Sequence, residues 1–131
     1  MLNFERLEVW KRGCRLSVGV YRVLANVHDY GLVDQMTRAA VSIPSNIAEG
    51  AERRTDKEYI NFLHIAKGSV AELRTQLYIA SKLDMIPREK AKELIQEAKE
   101  ISAMLQAMIG SVALCERSKV SPETGLGKCR R

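Results

Sequence analysis

Four cations near the start of the chain, Lys11, Arg12, Arg15 and Arg22, carry the clearest chemistry in this sequence. On a helix turning about 100° per residue, Lys11, Arg15 and Arg22 share the face opposite the apolar positions, with Arg12 beside them. A line of ammonium and guanidinium groups suits phosphate oxygens by charge and by hydrogen bonding. Arg53, Arg54 and Lys57 form a second basic cluster, which Glu52, Asp56 and Glu58 dilute. Aromatic rings able to stack on bases are few. Trp10, Tyr21 and Phe62 fit the apolar core pattern, leaving Tyr30 and Tyr78. The expected binding is therefore directed at the phosphate backbone and depends little on base sequence.

Other chemistries find less support. The two histidines, His28 and His64, have no Cys or carboxylate at metal-ligand spacing, so no metal and no cofactor is expected. Arg22 and His28 have the Arg-to-His spacing of the HEPN ribonucleases, but Val23 stands beside Arg22 where a polar residue is wanted. A ribonuclease using Arg22 and His28 is therefore a remote alternative, and no catalytic residue is assigned. Gly125-Leu-Gly-Lys128 lacks the first glycine, the final Ser or Thr and the preceding strand of a phosphate loop. Cys14, Cys115 and Cys129 are odd in number and far apart, which suggests neither a disulfide framework nor a zinc site.

The composition fits one domain. The chain has 131 residues, 46% hydrophobic and 28% charged, and a net charge of +5 that points mildly toward acidic partners. Its start, Met-Leu-Asn-Phe-Glu-Arg, places charges where a signal peptide needs an apolar run, and no 18-residue apolar stretch exists. A cytoplasmic protein with no membrane association is expected.

Four helices must position the cations. The first is read over about Phe4 to His28, with Leu7, Trp10, Cys14, Tyr21 and Leu24 on one apolar stripe and Val9, Leu16, Val20, Val23 and Val27 on another. Asp29-Tyr-Gly31 reads as the turn, Gly31 closing the helix in the left-handed conformation. The second helix, through Asp34 to Gly50, carries Pro44 at its centre. Proline withholds an N–H from the Ala40 carbonyl at a cost of roughly 3 kcal/mol, so a bend is expected. Thr55 and Glu58 form a capping box that opens the third helix, which runs to about Leu83. Pro87 opens the fourth, which keeps an apolar rhythm to Cys115. The predicted fold is an all-α, antiparallel up-down four-helix bundle over residues 1–116 with a proline-bent second helix. Residues 117–131 are read as a disordered basic tail. From Glu116 onward Arg117, Lys119, Lys128, Arg130 and Arg131 face Glu116 and Glu123, so +3 of the net charge lies there.

Tyr30-Gly-Leu32, Gln35-Met-Thr-Arg-Ala-Ala40, Ser42-Ile-Pro-Ser-Asn-Ile-Ala-Glu-Gly50 and Phe62-Leu-His-Ile-Ala-Lys-Gly-Ser-Val-Ala-Glu-Leu73, with Phe4, Leu7 and Val9-Trp-Lys11, carry a family resemblance. They resemble the bacterial four-helix-bundle proteins encoded within intervening sequences of large-subunit ribosomal RNA genes. The likeness spans about Phe4 to Cys115. It implies an up-down bundle assembling as a ring-like homopentamer, in a class of proteins for which no enzymatic activity is established. It also implies a relation to the accessory variability proteins of diversity-generating retroelements, which bind nucleic acid and a reverse transcriptase. Pro87 departs from the family's usual Ser or Thr cap, and the basic tail lies outside the shared pattern.

Within the signature, Gly68 and Ser69 are expected to admit the backbone of the second helix. Arg38 is expected to pair with Glu72 across these helices, and Asn46 with Glu49 to satisfy carbonyls freed by Pro44. Apolar residues beyond one stripe, in helix one and at Ile60, Ile65, Tyr78 and Ile79 of helix three, call for a second copy. The reading is a non-catalytic homo-oligomer that binds RNA or DNA. A protein-interaction scaffold without nucleic acid is the alternative.

Overall fold

In the computed structural model, which describes residues 3–120, a single 3-10 turn (Phe4–Arg6) leads into four helices. These are α1 (Glu8–Val23), α2 (Tyr30–Ala51), α3 (Asp56–Lys82) and α4 (Arg88–Val120), and no strand occurs among the described residues. Each helix packs on its neighbours in the chain, and α4 returns to α1 to close an all-α four-helix bundle. Gly13 of α1 meets Pro44 of α2, and four residues later Ser17 meets Ala40. Ser42 of α2 meets Ser69 of α3, and Gly50 meets Phe62. Arg12 faces Glu97 of α4, and Gly19 faces Leu94. In each pair one number rises as the other falls, the register of neighbours with opposite chain direction.

Local signals place the helix starts. The Asn3 side chain accepts from the Glu5 N–H before the first turn, and Asp29 accepts from the Leu32 N–H at the head of α2. Thr55 accepts from the Glu58 N–H at 3.2 Å, while its hydroxyl donates to the Glu58 carboxylate at 2.9 Å. The capping box therefore closes through the two side chains. At the end of α3 the Met85 N–H reaches the Ala80 carbonyl and the Asp84 N–H reaches Ser81. Asp84 takes φ +55° to allow this, a left-handed cap made without glycine.

Three boundaries differ from the sequence reading. Helix α1 begins at Glu8 and ends at Val23, so His28 lies in the link beyond it. Gly31 sits in the first turn of α2, since Asp29 provides an N-cap just before it. Helix α4 runs to Val120, past the boundary set at residue 117, because nothing before Pro122 in the sequence stops a helix. The rest of the expected tail lies outside the described residues.

The core explains why the helices hold these positions. Val9, Leu16 and Val20 of α1, Met36, Ile43 and Ile47 of α2, Leu63, Leu73 and Leu77 of α3, and Ile101 and Leu105 of α4 are all almost fully buried. Of the two stripes proposed on the first helix, that of Val9, Leu16 and Val20 is the core stripe. In the other, Trp10 is half-buried against Phe4 in an edge-on contact with ring centroids 5.3 Å apart, while Tyr21 is 56% exposed.

Helix α2 runs without interruption through Pro44, which is buried. The Ala40 carbonyl, deprived of its helical donor, is 2.9 Å from the buried Ser17 hydroxyl of α1. That hydroxyl also lies 3.0 Å from the Gly13 carbonyl, so its one proton serves both acceptors. Gly13 completes the seam: a Cβ there would stand 3.4 Å from two Pro44 carbons, which is why α1 can approach the proline ring so closely. The partner of the proline is thus α1, and the carbonyl expected to fall to Asn46 and Glu49 is satisfied by Ser17.

Candidate nucleic-acid interface

Helix α1 presents a straight outward line of Lys11, Arg15, Val18 and Arg22, all exposed. Their spacing of four, three and four residues is the repeat that keeps side chains on one helix face. Lys11 and Arg22 make no side-chain hydrogen bond or ion pair among the described residues. Arg15 meets Glu8 at 3.1 Å, but both side chains are largely exposed and the pair is weak. Three hydrated cations therefore remain for an external anion.

Arg12 does not join them. Its Nε donates to Glu97 at 2.7 Å, and its Nη2 donates to Glu97 and Glu100 at 2.6 Å each. Its Nη1 also lies 3.5 Å from the Met104 sulfur. Hydrogen bonds to Glu97, then to Glu100, hold the guanidinium above its ordinary pKa, and those from Arg12, then Gln96, draw the Glu100 carboxyl below its own. The fork–carboxylate geometry ties α1 to α4 and uses up the Arg12 donors. It also sets two carboxylates at the flank of the basic face.

In the second basic cluster the two arginines are similarly committed, while Lys57 is exposed and makes no side-chain hydrogen bond or ion pair among the described residues. Arg53 donates to Glu49 at 2.9 Å and lies over the Phe62 ring, 4.7 Å from its centroid. Arg54 is exposed and has a partner of its own within the protein. Glu49, expected to serve a carbonyl, is occupied by Arg53 instead.

The signature residues behave differently from their expected roles. Arg38 pairs with Asp34 one turn earlier in α2, 3.2 Å away, and Glu72 is exposed, so the cross-helix pair does not form. Asn46 does bond a backbone carbonyl, that of Ser42, at 2.8 Å, and also the Ser42 hydroxyl at 2.9 Å. The Ser42 hydroxyl in turn meets Ser69 at 2.8 Å, making a polar clasp between α2 and α3. Gly68 admits no neighbour, for a Cβ there would have nothing within 4 Å. The close approach is at Gly50, where a Cβ would stand 2.7 Å from the Phe62 Cβ.

The Arg22 and His28 pair is not assembled either. His28 is exposed in the link, its Nδ1 sharing a 3.3 Å hydrogen bond with the Tyr30 hydroxyl. No hydrogen bond joins it to Arg22 among the described residues. Cys115 is disulfide-bonded, where the cysteine spacing suggested no disulfide framework; Cys14 is free, and burial pushes its thiol up. Among the described residues no helix is long and apolar enough to cross a membrane.

A model of the 23S rRNA-intervening sequence proteins matches residues 5–107, most of the bundle. The chain belongs to that family. No curated protein matches it significantly. A crystal structure described as a protein of unknown function from the S23 ribosomal protein family of Bacteroides thetaiotaomicron, at 1.70 Å resolution, superposes with a TM-score of 0.70. It is 24% identical and covers 77% of this chain and 97% of its own, a likeness that concerns the fold. The matched region of this intervening-sequence protein contains all of α1, α2 and α3 and thus the whole outward cation line.

Proposed function

We propose that this intervening-sequence protein is a non-catalytic, cytoplasmic homo-oligomer that binds RNA or DNA through the outward face of α1. The observation that carries the reading is the exposed line of Lys11, Arg15 and Arg22, two of which have no partner among the described residues. Three charges on one chain give a modest field. Several copies in a ring would repeat them at fixed spacing and release many counterions at once. Apolar side chains that such an assembly would cover are present: Ile65, Tyr78 and Ile79 of α3, and Leu83 at its C-cap, are between 43% and 63% exposed. A pentamer is the expected order, from the family resemblance.

Two measurements test this reading. Light scattering of the intact chain at micromolar concentration should give a mass several times that of one chain, and a monomer would overturn the oligomer. Binding to a labelled RNA should weaken steeply between low and high salt, as counterion release requires. Absence of binding at low salt would leave a protein-interaction scaffold as the better description.

A further inference from the structure

Tyr21 fits the core pattern of the sequence, yet the residue is 56% exposed at the border between α1 and α2. It precedes Arg22 in the chain and so lies about a quarter turn from the outward cation line. It also walls a groove of about 350 Å³, shared with Thr37, Arg38, Val41 and Ser45 of α2. Val41 is 42% exposed and gives the groove an apolar side, while Ser45 makes no hydrogen bond among the described residues. The Asp34 carboxylate in the groove is paired with Arg38, so it does not stand there as a lone negative charge.

These observations give the cation line something a phosphate-only surface lacks. We infer that the groove holds an unpaired base stacked on Tyr21 while the phosphates of the same strand track Lys11, Arg15 and Arg22, so that the protein selects single-stranded nucleic acid. The inference rests on the nucleic-acid reading above and narrows its ligand. An aromatic ring beside a basic track is the common device for sequence-tolerant single-strand binding, because every base offers a π face. A duplex keeps its base faces inside the stack and offers a side-chain ring only base edges, sugars and phosphates. The charge of the face favours this occupant over the same face of a second copy, which would bring like positive charges against it, while contact with a different face of a second copy is read by the oligomer mass below.

The test compares three probes on the intact protein: a labelled oligouridylate of roughly 16 nucleotides, a duplex RNA of that length, and an abasic deoxyribose-phosphate strand. Wild type should bind the oligouridylate tightest. Tyr21→Ala should lose roughly fivefold to a hundredfold on that probe and almost nothing on the other two. Tyr21→Phe should retain the preference, since stacking needs the ring and not the hydroxyl. If Tyr21→Ala binds the oligouridylate as wild type does, with salt dependence intact, the base-stacking site is refuted while the phosphate reading stands. If wild type binds none of the probes, both fall. A drop in oligomer mass on Tyr21→Ala would assign the ring to subunit contact and overturn the inference.

Discussion

Helix α1 treats its polar groups in two opposite ways. On its inward flanks they are consumed: Arg12 is forked between Glu97 and Glu100 of α4, and Ser17 serves the Ala40 carbonyl that Pro44 leaves without a donor. On its outward face Lys11, Arg15 and Arg22 stay hydrated. Arg12 and Lys11 are adjacent in the chain and carry the same charge, yet one is a structural fastener and the other is available to a ligand. Charge counted along a sequence therefore overstates the field a partner meets, and the helix face a residue occupies decides which cations remain.

Variants on the two sides should separate cleanly. Ser17→Ala strands the Ala40 carbonyl in the core and should cost about 1–3 kcal/mol in urea-unfolding free energy without altering nucleic-acid affinity. Arg12→Ala should cost about 1 kcal/mol, the upper end for a partly exposed pair with good geometry. A comparable loss from Lys11→Ala would erase the distinction between the two sides.

The same fork has a pH signature. Arg12 lowers the Glu100 carboxyl, so its contribution is complete above the carboxylate's unfolded value and disappears as pH falls through the folded one. Between about pH 7 and about pH 3 the urea midpoint of wild type should therefore fall further than that of Arg12→Ala. Equal falls would show that the fork makes no linked contribution.

The smallest effect expected concerns a signature glycine. Gly68→Ala places a methyl in open space on an exposed helix and should stabilise by up to about 1 kcal/mol, read from the thermal midpoint. The same change at Gly50 drives a Cβ against Phe62 and should destabilise. Two glycines of one family signature would then be separated by the sign of their effect.

Much of the fold was legible because it depends on local signals. The Thr55 capping box, the apolar rhythm of α3 and α4 and the position of Pro87 each act within a turn or two of chain. The ends of α1 were read less well, since its apolar pattern continues to Val27 while the backbone turns after Leu24. The site was legible as a set of cations but not as a surface. Periodicity placed Arg12 beside Lys11, Arg15 and Arg22, but its acceptors lie 85 and 88 residues away on α4. Tyr21 shares an apolar stripe with Trp10 and Leu24, and only the packing of the neighbouring helices decides which member of that stripe is covered. Ser17 carries a signal of its own: it is a hydroxyl beside the core stripe, four residues after a glycine, in a chain whose second helix has a carbonyl in need of a donor.

The most direct measurement is the salt dependence of RNA binding by wild type beside a Lys11→Glu, Arg15→Glu, Arg22→Glu variant whose fold and oligomer mass are checked in parallel. The outward-face account predicts that wild type binds with affinity falling steeply as salt rises, and that the variant, still folded and assembled, has lost both the affinity and most of the slope. A folded, assembled variant that binds with undiminished affinity and slope would place the interface elsewhere on the bundle and contradict the account.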